Sequence, residues 1–385
     1  MGQIFADYLG LGDEGVKMRM RTDRIAIATM VAAAAGALVL GIAMAAMGQA
    51  KSSAAASAAE TKDLRVYFID VEGGQATLFV TPQHESLLID VGWPGSNNRD
   101  AERIVAAAKA AGLAKIDNVL LTHYHVDHAG GVPQLAAKIP IGRFIDHGPN
   151  REDATVEGGP PTVSSWEAYQ KTLAGGKYEH LVVKPGDVLP VKGMKVEIVS
   201  GDGKVIDKPL KEGGGQNAAC ANSPVKEPEG NENDRSLGMV ITFGRTRILD
   251  LGDLTWANER PLMCPVDKIG KVDVYVVSHH GFARSGSPAL VDAVAPRVAI
   301  MDLGGHKGGD VSTFPIIQGS PRLKDLWQLH TVEGPNKKNV ADDRIANLAT
   351  TKPDAGNYLL LTVHPNGVMA VTNQRTGQTV EYPAK

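Results

Sequence analysis

The sequence is short of several things that large protein classes depend on. Only two of its 385 residues are cysteine, Cys220 and Cys264, which excludes a cysteine-rich zinc site and a disulfide scaffold. In an oxidising compartment the two could pair and close a long polar loop. Pairing needs Cα atoms within about 7 Å, so one bridge and two free thiols both stay open. Aromatic residues make up 5% of the chain, and 40 Lys and Arg face 43 Asp and Glu, a formal charge of -3. There is no cationic stripe with interleaved aromatics, so charge gives no support to nucleic acid as a partner and offers no general attraction to anionic lipid. A polyanionic substrate has to be gripped locally, and Arg245, Arg247 and Arg284 are the cations available to do it. No internal repeat is present.

What is present begins with a leader. Lys17, Arg19, Arg21 and Arg24 precede an uncharged, Ala-rich run from Ile25 to Met47, and small residues follow it. That order is the pattern of an export signal. The run is 23 residues long, beyond the roughly 7–15 of a signal core and close to the roughly 20 of a spanning helix. Residues 1–50 are therefore a signal peptide or an N-terminal membrane anchor. Gly48-Gln49-Ala50 offers a cleavage site and tilts the reading toward removal. Either outcome makes the protein exported, whether periplasmic, extracellular or tethered to the membrane. Residues 51–63 are small and polar enough for a linker, and the folded domain is expected over 64–385, with the oligomeric state left undefined.

Within that domain, "LRVYFIDV", "ATLFVT" and "SLLIDV" read as successive strands, "DAERIVAAAKAAGL" as a helix ending at Gly112, and "NVLLT" as the next strand. Further strands are expected from Arg143, Leu181, Lys195, Gly238, Arg247, Lys271 and Pro296, and "PRLKDLWQL" (Pro321 to Leu329) as a helix. "NYLLLTVHP" and "GVMAVTNQ" flank Asn366-Gly367, a hairpin signal. Alternating and hairpin spacing together predict an α/β fold with mixed sheets. Residues 201–235 are Gly-rich and charged, too polar for core and too long for an ordinary connection, so they are expected to form a flap or a disordered loop.

The chemistry concentrates in "THYHVDHAGG", Thr122 to Gly131. His123, His125 and Asp127 stand two apart, so in extended backbone they project to one side while His128 turns to the other. Imidazole and carboxylate are the usual ligands of zinc and related ions, and an open coordination position lets such an ion acidify a water. "RILDLGDLTW" supplies Asp253 just past one strand, and "VVSHHG" supplies His279 and His280 at the end of another.

With "LLIDVG", "THYHVDHAGG", "ILDLGD" and "VVSHHG", the chain from about Leu64 to Asp302 resembles the metallo-β-lactamase fold hydrolases. "FIDVEGGQATLFV", "NDRSLGMVITFG" and "VVSHHG" look like the ComEC-type hydrolase domain and like phosphorylcholine esterases. The resemblance implies a four-layer αββα sandwich of two mixed sheets with two divalent ions at one edge, zinc before manganese. It implies His123 and His125 on one ion, Asp127 and His128 on the other, Asp253 bridging, and His280, which precedes Gly281, completing the second site. His279 is then free to protonate a leaving group or bind substrate, making His279 and Asp127 the catalytic pair. Asp90 resembles the carboxylate that supports a ligating histidine. One departure stands out. Many members place another histidine where this chain has "NENDRSL", so with Asn233 there the first ion would lack a strong ligand and bind loosely or take water, with His147 in "FIDHGPN" as a candidate substitute. A phosphodiester is the expected substrate. A lactone, β-lactam or thioester, and a non-catalytic metal-binding protein, are the alternatives; the absence of a cysteine among the expected ligands argues against the zinc β-lactamases that use one.

Overall fold

The apolar runs pair into two large sheets. The structure, a computed structural model, describes residues 62–152, 162–348 and 355–385; the leader and nearly all of the linker lie outside the described residues. In chain order the strands are β1 (Leu64–Phe68), β2 (Thr77–Val80), β3 (Ser86–Ile89), β4 (Ile116–Leu120), β5 (Ile141–Asp146), β6 (Glu179–Val182), β7 (Lys195–Gly201), β8 (Lys204–Val205), β9 (Gly215–Gln216), β10 (Gly238–Phe243), β11 (Thr246–Asp250), β12 (Val266–Asp267), β13 (Val274–Val276), β14 (Val298–Met301), β15 (Asp325–His330), β16 (Ile345–Asn347), β17 (Leu359–Val363), β18 (Met369–Asn373) and β19 (Thr379–Tyr382). One sheet runs β19-β18-β17-β1-β2-β3-β4-β5-β6 and the other β16-β15-β14-β13-β11-β10-β7-β8. Both are mixed: β3 to β6 are parallel, as are β11 and β13 to β16, and the remaining pairs are antiparallel.

Alternation along the strands builds four layers. Phe68, Phe79 and Leu120 from the first sheet meet Met239, Ile248 and Trp327 from the second in a shared inner core. The other face of the first sheet packs Leu78, Val119 and Phe144 against Ile104, Leu135 and Tyr169 of helices Arg99–Ala110, Val132–Ala136 and Thr162–Gly175. The second sheet's outer face packs Leu249 and Tyr275 against Leu262, Leu290 and Phe314 of helices Trp256–Met263, Pro288–Val294 and Thr313–Gln318. This is the αββα arrangement, each fully buried side chain of this size contributing roughly 1.5–3 kcal/mol. Among the described residues no helix is long and apolar enough to cross a membrane.

Two expectations are corrected. Pro321 to Leu329 is not a helix: β15 occupies its second half, paired in parallel with β14 and β16. Leu323, Leu326 and Trp327 imitate a helical stripe, but Trp327 and Leu329 face the inner core while Leu326 faces the outer one. A strand buried on both faces loses the period-two signal, and its ladder partners then decide. Residues 201–235 are not a detached loop either. Cys220 and Cys264 form a disulfide with Cα atoms 5.9 Å apart, which ties the segment to the end of a helix. Its last residues, Glu232, Asn233 and Asp234, are buried. Burial is tolerable because Glu232 accepts from the Arg151 N–H at 2.8 Å and Asp234 from the Thr255 hydroxyl at 2.6 Å. The hairpin around Asn366-Gly367 forms as its sequence predicts, with Gly367 at φ 92°.

Candidate metal centre

The carboxyl ends of the parallel strands in both sheets converge on one edge of the sandwich, the usual place for a ligand crevice in α/β sheets. β3 delivers Asp90, β4 delivers Thr122 to His128, β11 delivers Asp253, β13 delivers His279 and His280, and β14 delivers Asp302. Asp90, His279 and His280 have φ of 58°, 55° and 54°. Left-handed backbone at non-glycine residues costs of order 1–3 kcal/mol and persists where surrounding contacts enforce it, commonly at functional sites. The chain also turns into a short helix, Val126–Ala129, directly after His125. The extended geometry expected past His125 is therefore corrected: Asp127 falls in with His128 rather than with His123 and His125. Gly74 backs this helix so closely that a Cβ there would lie 2.3 Å from the Asp127 carbonyl oxygen.

Two ligand groups result. His123, His125 and Asp253 form one, and Asp127, His128, Asp253 and His280 the other; within each, the ligating atoms lie within 4.8 Å of one another and every residue is buried. Asp253 belongs to both. Its Oδ2 is 3.3 Å from His128 Nε2, 3.5 Å from His279 Nε2, 3.6 Å from His280 Nε2 and 3.9 Å from His123 Nε2. Its Oδ1 is buried with no hydrogen-bond partner among the described residues.

The fit to metal ions can be tested from the outer nitrogen of each ring. Thr122 donates its hydroxyl hydrogen to Asp90 Oδ2 at 2.6 Å, so toward His123 Nδ1, 3.0 Å away, it can only accept. His125 Nε2 faces Glu152 Oε2 at 3.0 Å, His128 Nδ1 faces Asp90 Oδ2 at 2.7 Å, and His280 Nδ1 faces the Asp302 carbonyl at 3.2 Å and its Oδ1 at 3.3 Å. Each outer nitrogen thus carries a proton, which leaves the inner nitrogens as the positions where a cation, a proton or a metal, is taken up. Those inner nitrogens sit 3.0 Å apart for His123 and His125 and 3.2 Å apart for His128 and His280. Inner nitrogens facing one another beside two carboxylates need cations between them, and imidazole with carboxylate is the donor set of divalent metals. The residues fit a dinuclear centre.

The electrostatics agree. Burial disfavours a charged ring at His128, but Asp253, Asp127 and Asp90 outweigh it and hold its pKa well above the usual value. At His280, burial and Lys307 are outweighed by Asp253 and Asp302, and the pKa is pushed up to about 10. Burial, His128 and His125 drive His123 far the other way. Asp253 is held well below the carboxylate range because His128, His279 and His280 overcome its burial. A field that draws protons to His128 and His280 draws metal cations equally, and the two compete. Burial, with His280, Lys307 and Arg284, pushes His279 down to about 4 despite Asp253, so its ring is neutral at pH 7.

Of the expected site residues, His279 borders the cluster without joining either group, its Nδ1 3.1 Å from the Ser285 hydroxyl. His147 and Asn233 are not brought into the first group. His147 Nε2 turns to Glu232 at 3.1 Å, and Asn233 Nδ2 donates to Glu229 at 3.3 Å. Arg284 stands near the site edge, 3.3 Å from Glu229, whereas Arg245 and Arg247 lie at the start of β11, the opposite end of the sheet. Four contributors escaped the sequence reading. Glu152 and Asp302 support ligating rings, Glu232 donates its backbone N–H to Glu152 at 3.0 Å, and Lys307 places its ammonium on Asp127 and 5.1 Å over the Trp93 ring. Asp302 and Lys307 follow a parallel strand, a position that could have flagged them; Glu152 and Glu232 carry no comparable mark.

Comparison with known proteins is consistent with this geometry. A family profile described as "Metallo-beta-lactamase superfamily" matches residues 70–306. Recombination protein 2 of Haemophilus influenzae is 24% identical over 279 residues, 72% of this chain and 29% of the relative. ComE operon protein 3 of Bacillus subtilis is 23% identical over 256 residues, 62% of this chain and 28% of the relative. This chain thus spans less than a third of the length of either. A shorter match, 38% identical over 88 residues, 23% of this chain and 31% of the relative, links it to a hydroxyacylglutathione hydrolase of Stenotrophomonas maltophilia.

Proposed function

The chain belongs to the metallo-β-lactamase superfamily, and from that premise we propose that it is an exported, metal-dependent hydrolase of phosphodiesters. The observation that carries the hydrolase reading is the pair of ligand groups sharing Asp253, whose Oδ1 is buried and unpartnered. A divalent pair bound there supplies an acidified water and a Lewis acid for the substrate oxygen. Everything else falls to the chain. Thr122, Glu152, Asp90 and Asp302 fix the four ring orientations, so the inner nitrogens are aimed before any ion arrives. Ser285 and Asp253 flank His279, which, neutral at pH 7, offers an uncharged ring nitrogen toward the reacting region rather than a positive charge. That favours substrate binding over proton delivery for His279. Lys307 adds a cation at the rim, suited to an anionic substrate.

Support for a phosphodiester comes from the double-histidine ending and the similarity to ComEC-type domains; support for export comes from the basic and apolar leader. The local match to a hydroxyacylglutathione hydrolase keeps a thioester as second reading. The test is full-length protein loaded with zinc or manganese and offered bis(p-nitrophenyl) phosphate, a glutathione thioester, a lactone and a chromogenic cephalosporin. Preference for the phosphodiester is expected. Turnover of the thioester alone replaces the substrate class, and silence on all four with both metals bound defeats the hydrolase reading.

A further inference from the structure

The second sheet has a second end. Where Asp253, the late histidines and Asp302 gather at the carboxyl ends of β11, β13 and β14, the amino ends gather cations. A cleft of about 440 Å³ is lined by Lys271, Arg297, Pro321, Arg322, Lys324 and Lys385, so five of its six lining residues are positive. Lys271 precedes β13, Arg297 precedes β14, and Arg322 and Lys324 precede β15. At about 3.3 Å per residue, the strands hold this cleft some 15–20 Å from the metal centre. Among the described residues one side-chain carboxylate pairs with these cations: buried Asp273, with Lys385 at 2.8 Å, Arg322 at 3.4 Å and Arg297 at 3.7 Å. Three cations share that single charge. Lys271 and Lys324 are exposed, and among the described residues neither pairs with a carboxylate. In a chain of net charge -3 this excess is local and needs a reason. Lys271 and Lys385 also line an adjoining cleft of about 620 Å³, where Glu212 and Asp267 stand beside Arg245 and Arg247 and offset them, so the unbalanced positive charge is confined to the first cleft.

We propose that this cleft is a second anion site, built for phosphate groups and separate from the metal centre. Arg fits a phosphate oxygen pair through its planar fork, and mobile lysines adapt around it. The cleft would hold a free polyphosphate or the phosphates of a nucleic-acid strand, and its action does not depend on the hydrolase reading.

The experiment uses the full chain at low salt, with a fluorescein-labelled single-stranded thymidine oligonucleotide followed by anisotropy and inorganic pyrophosphate as competitor. K271E/K324E reverses the two unpaired charges, and because both side chains are exposed the fold should be kept, which metal content and melting temperature check. K271A/K324A is the milder companion. Oligonucleotide binding weakened at least tenfold in K271E/K324E, with the slope of log affinity against log salt falling by about 1.4, supports the site with a strand as source. Pyrophosphate binding alone, lost in the same variant, supports it with a free anion as source. Absence of binding by either probe, or equal binding by wild type and both variants, overturns the proposal. Hydrolysis of the small ester bis(p-nitrophenyl) phosphate should be unchanged in both variants, so its failure would bear on the metal centre and not on this cleft.

Discussion

The two ligand groups share one aspartate but are built unequally. Around Asp127, His128 and His280 the set is complete: four ligands, with both rings braced by carboxyl-bearing residues, Asp90 and Asp302. Around His123 and His125 there are three, with His123 braced by a hydroxyl and His125 by Glu152. A four-ligand cage holds its ion; a three-ligand set leaves a position for water or substrate. With ions bound, the two halves would be expected to divide labour, one retaining, one exchanging. Stepwise chelation of a two-metal preparation should show this as two release phases, the weaker ion leaving first. A single cooperative loss, measured by metal content against free chelator, would erase the distinction.

Removing the shared residue has the largest expected effect. Asp253→Asn should drop metal content below one ion per chain and lower kcat at least a thousandfold, because both groups lose their common charge and the ring pairs His123–His125 and His128–His280 are left facing one another. Retention of both ions would break the account at its centre. Next comes Asp90→Asn. It takes the charge from the His128 brace and from the Thr122 contact that sets His123, so both halves suffer, and affinity should fall about 10- to 100-fold. Asp302→Asn should cost less than Asp90→Asn, since the backbone carbonyl at residue 302 still meets His280 Nδ1. Isothermal titration with zinc would rank the two.

How much of this the sequence disclosed depended on whether residues act in company or alone. His123, His125, Asp127 and His128 are neighbours in one motif, and Asp253 and the histidine pair stand at strand ends, so they stood out as candidates before any fold. Glu152, Glu232 and Lys307 are single charged residues in polar surroundings, the commonest kind of solvated side chain, and only folding gives them partners. The strands were legible wherever one face differed from the other. β15 was not, because Trp327 and Leu326 are apolar on opposite faces and only its neighbours β14 and β16 fix it as a strand. The burial of residues 232–234 was hidden for the same reason as Glu152: three polar residues look exposed until Arg151, His147 and Thr255 are seen around them.

The smallest effects test the weaker half most finely. Glu152→Gln keeps the size of the side chain but removes the charge that holds the proton on His125 Nε2, and Glu152 is itself fixed by the Glu232 N–H. The expected loss is about tenfold in affinity for one ion, with the other unchanged, a split that titration resolves and that a general loss of fold would not produce. Asn233→Ala supplies the baseline. Though buried, its amide reaches Glu229 and neither ligand group, so both affinities should stay within about twofold of wild type while the cost of the change falls on stability. Should Asn233→Ala instead weaken the first ion as strongly as Glu152→Gln, the third position of that half would belong to Asn233 after all, and the two halves would be more alike than their geometry indicates.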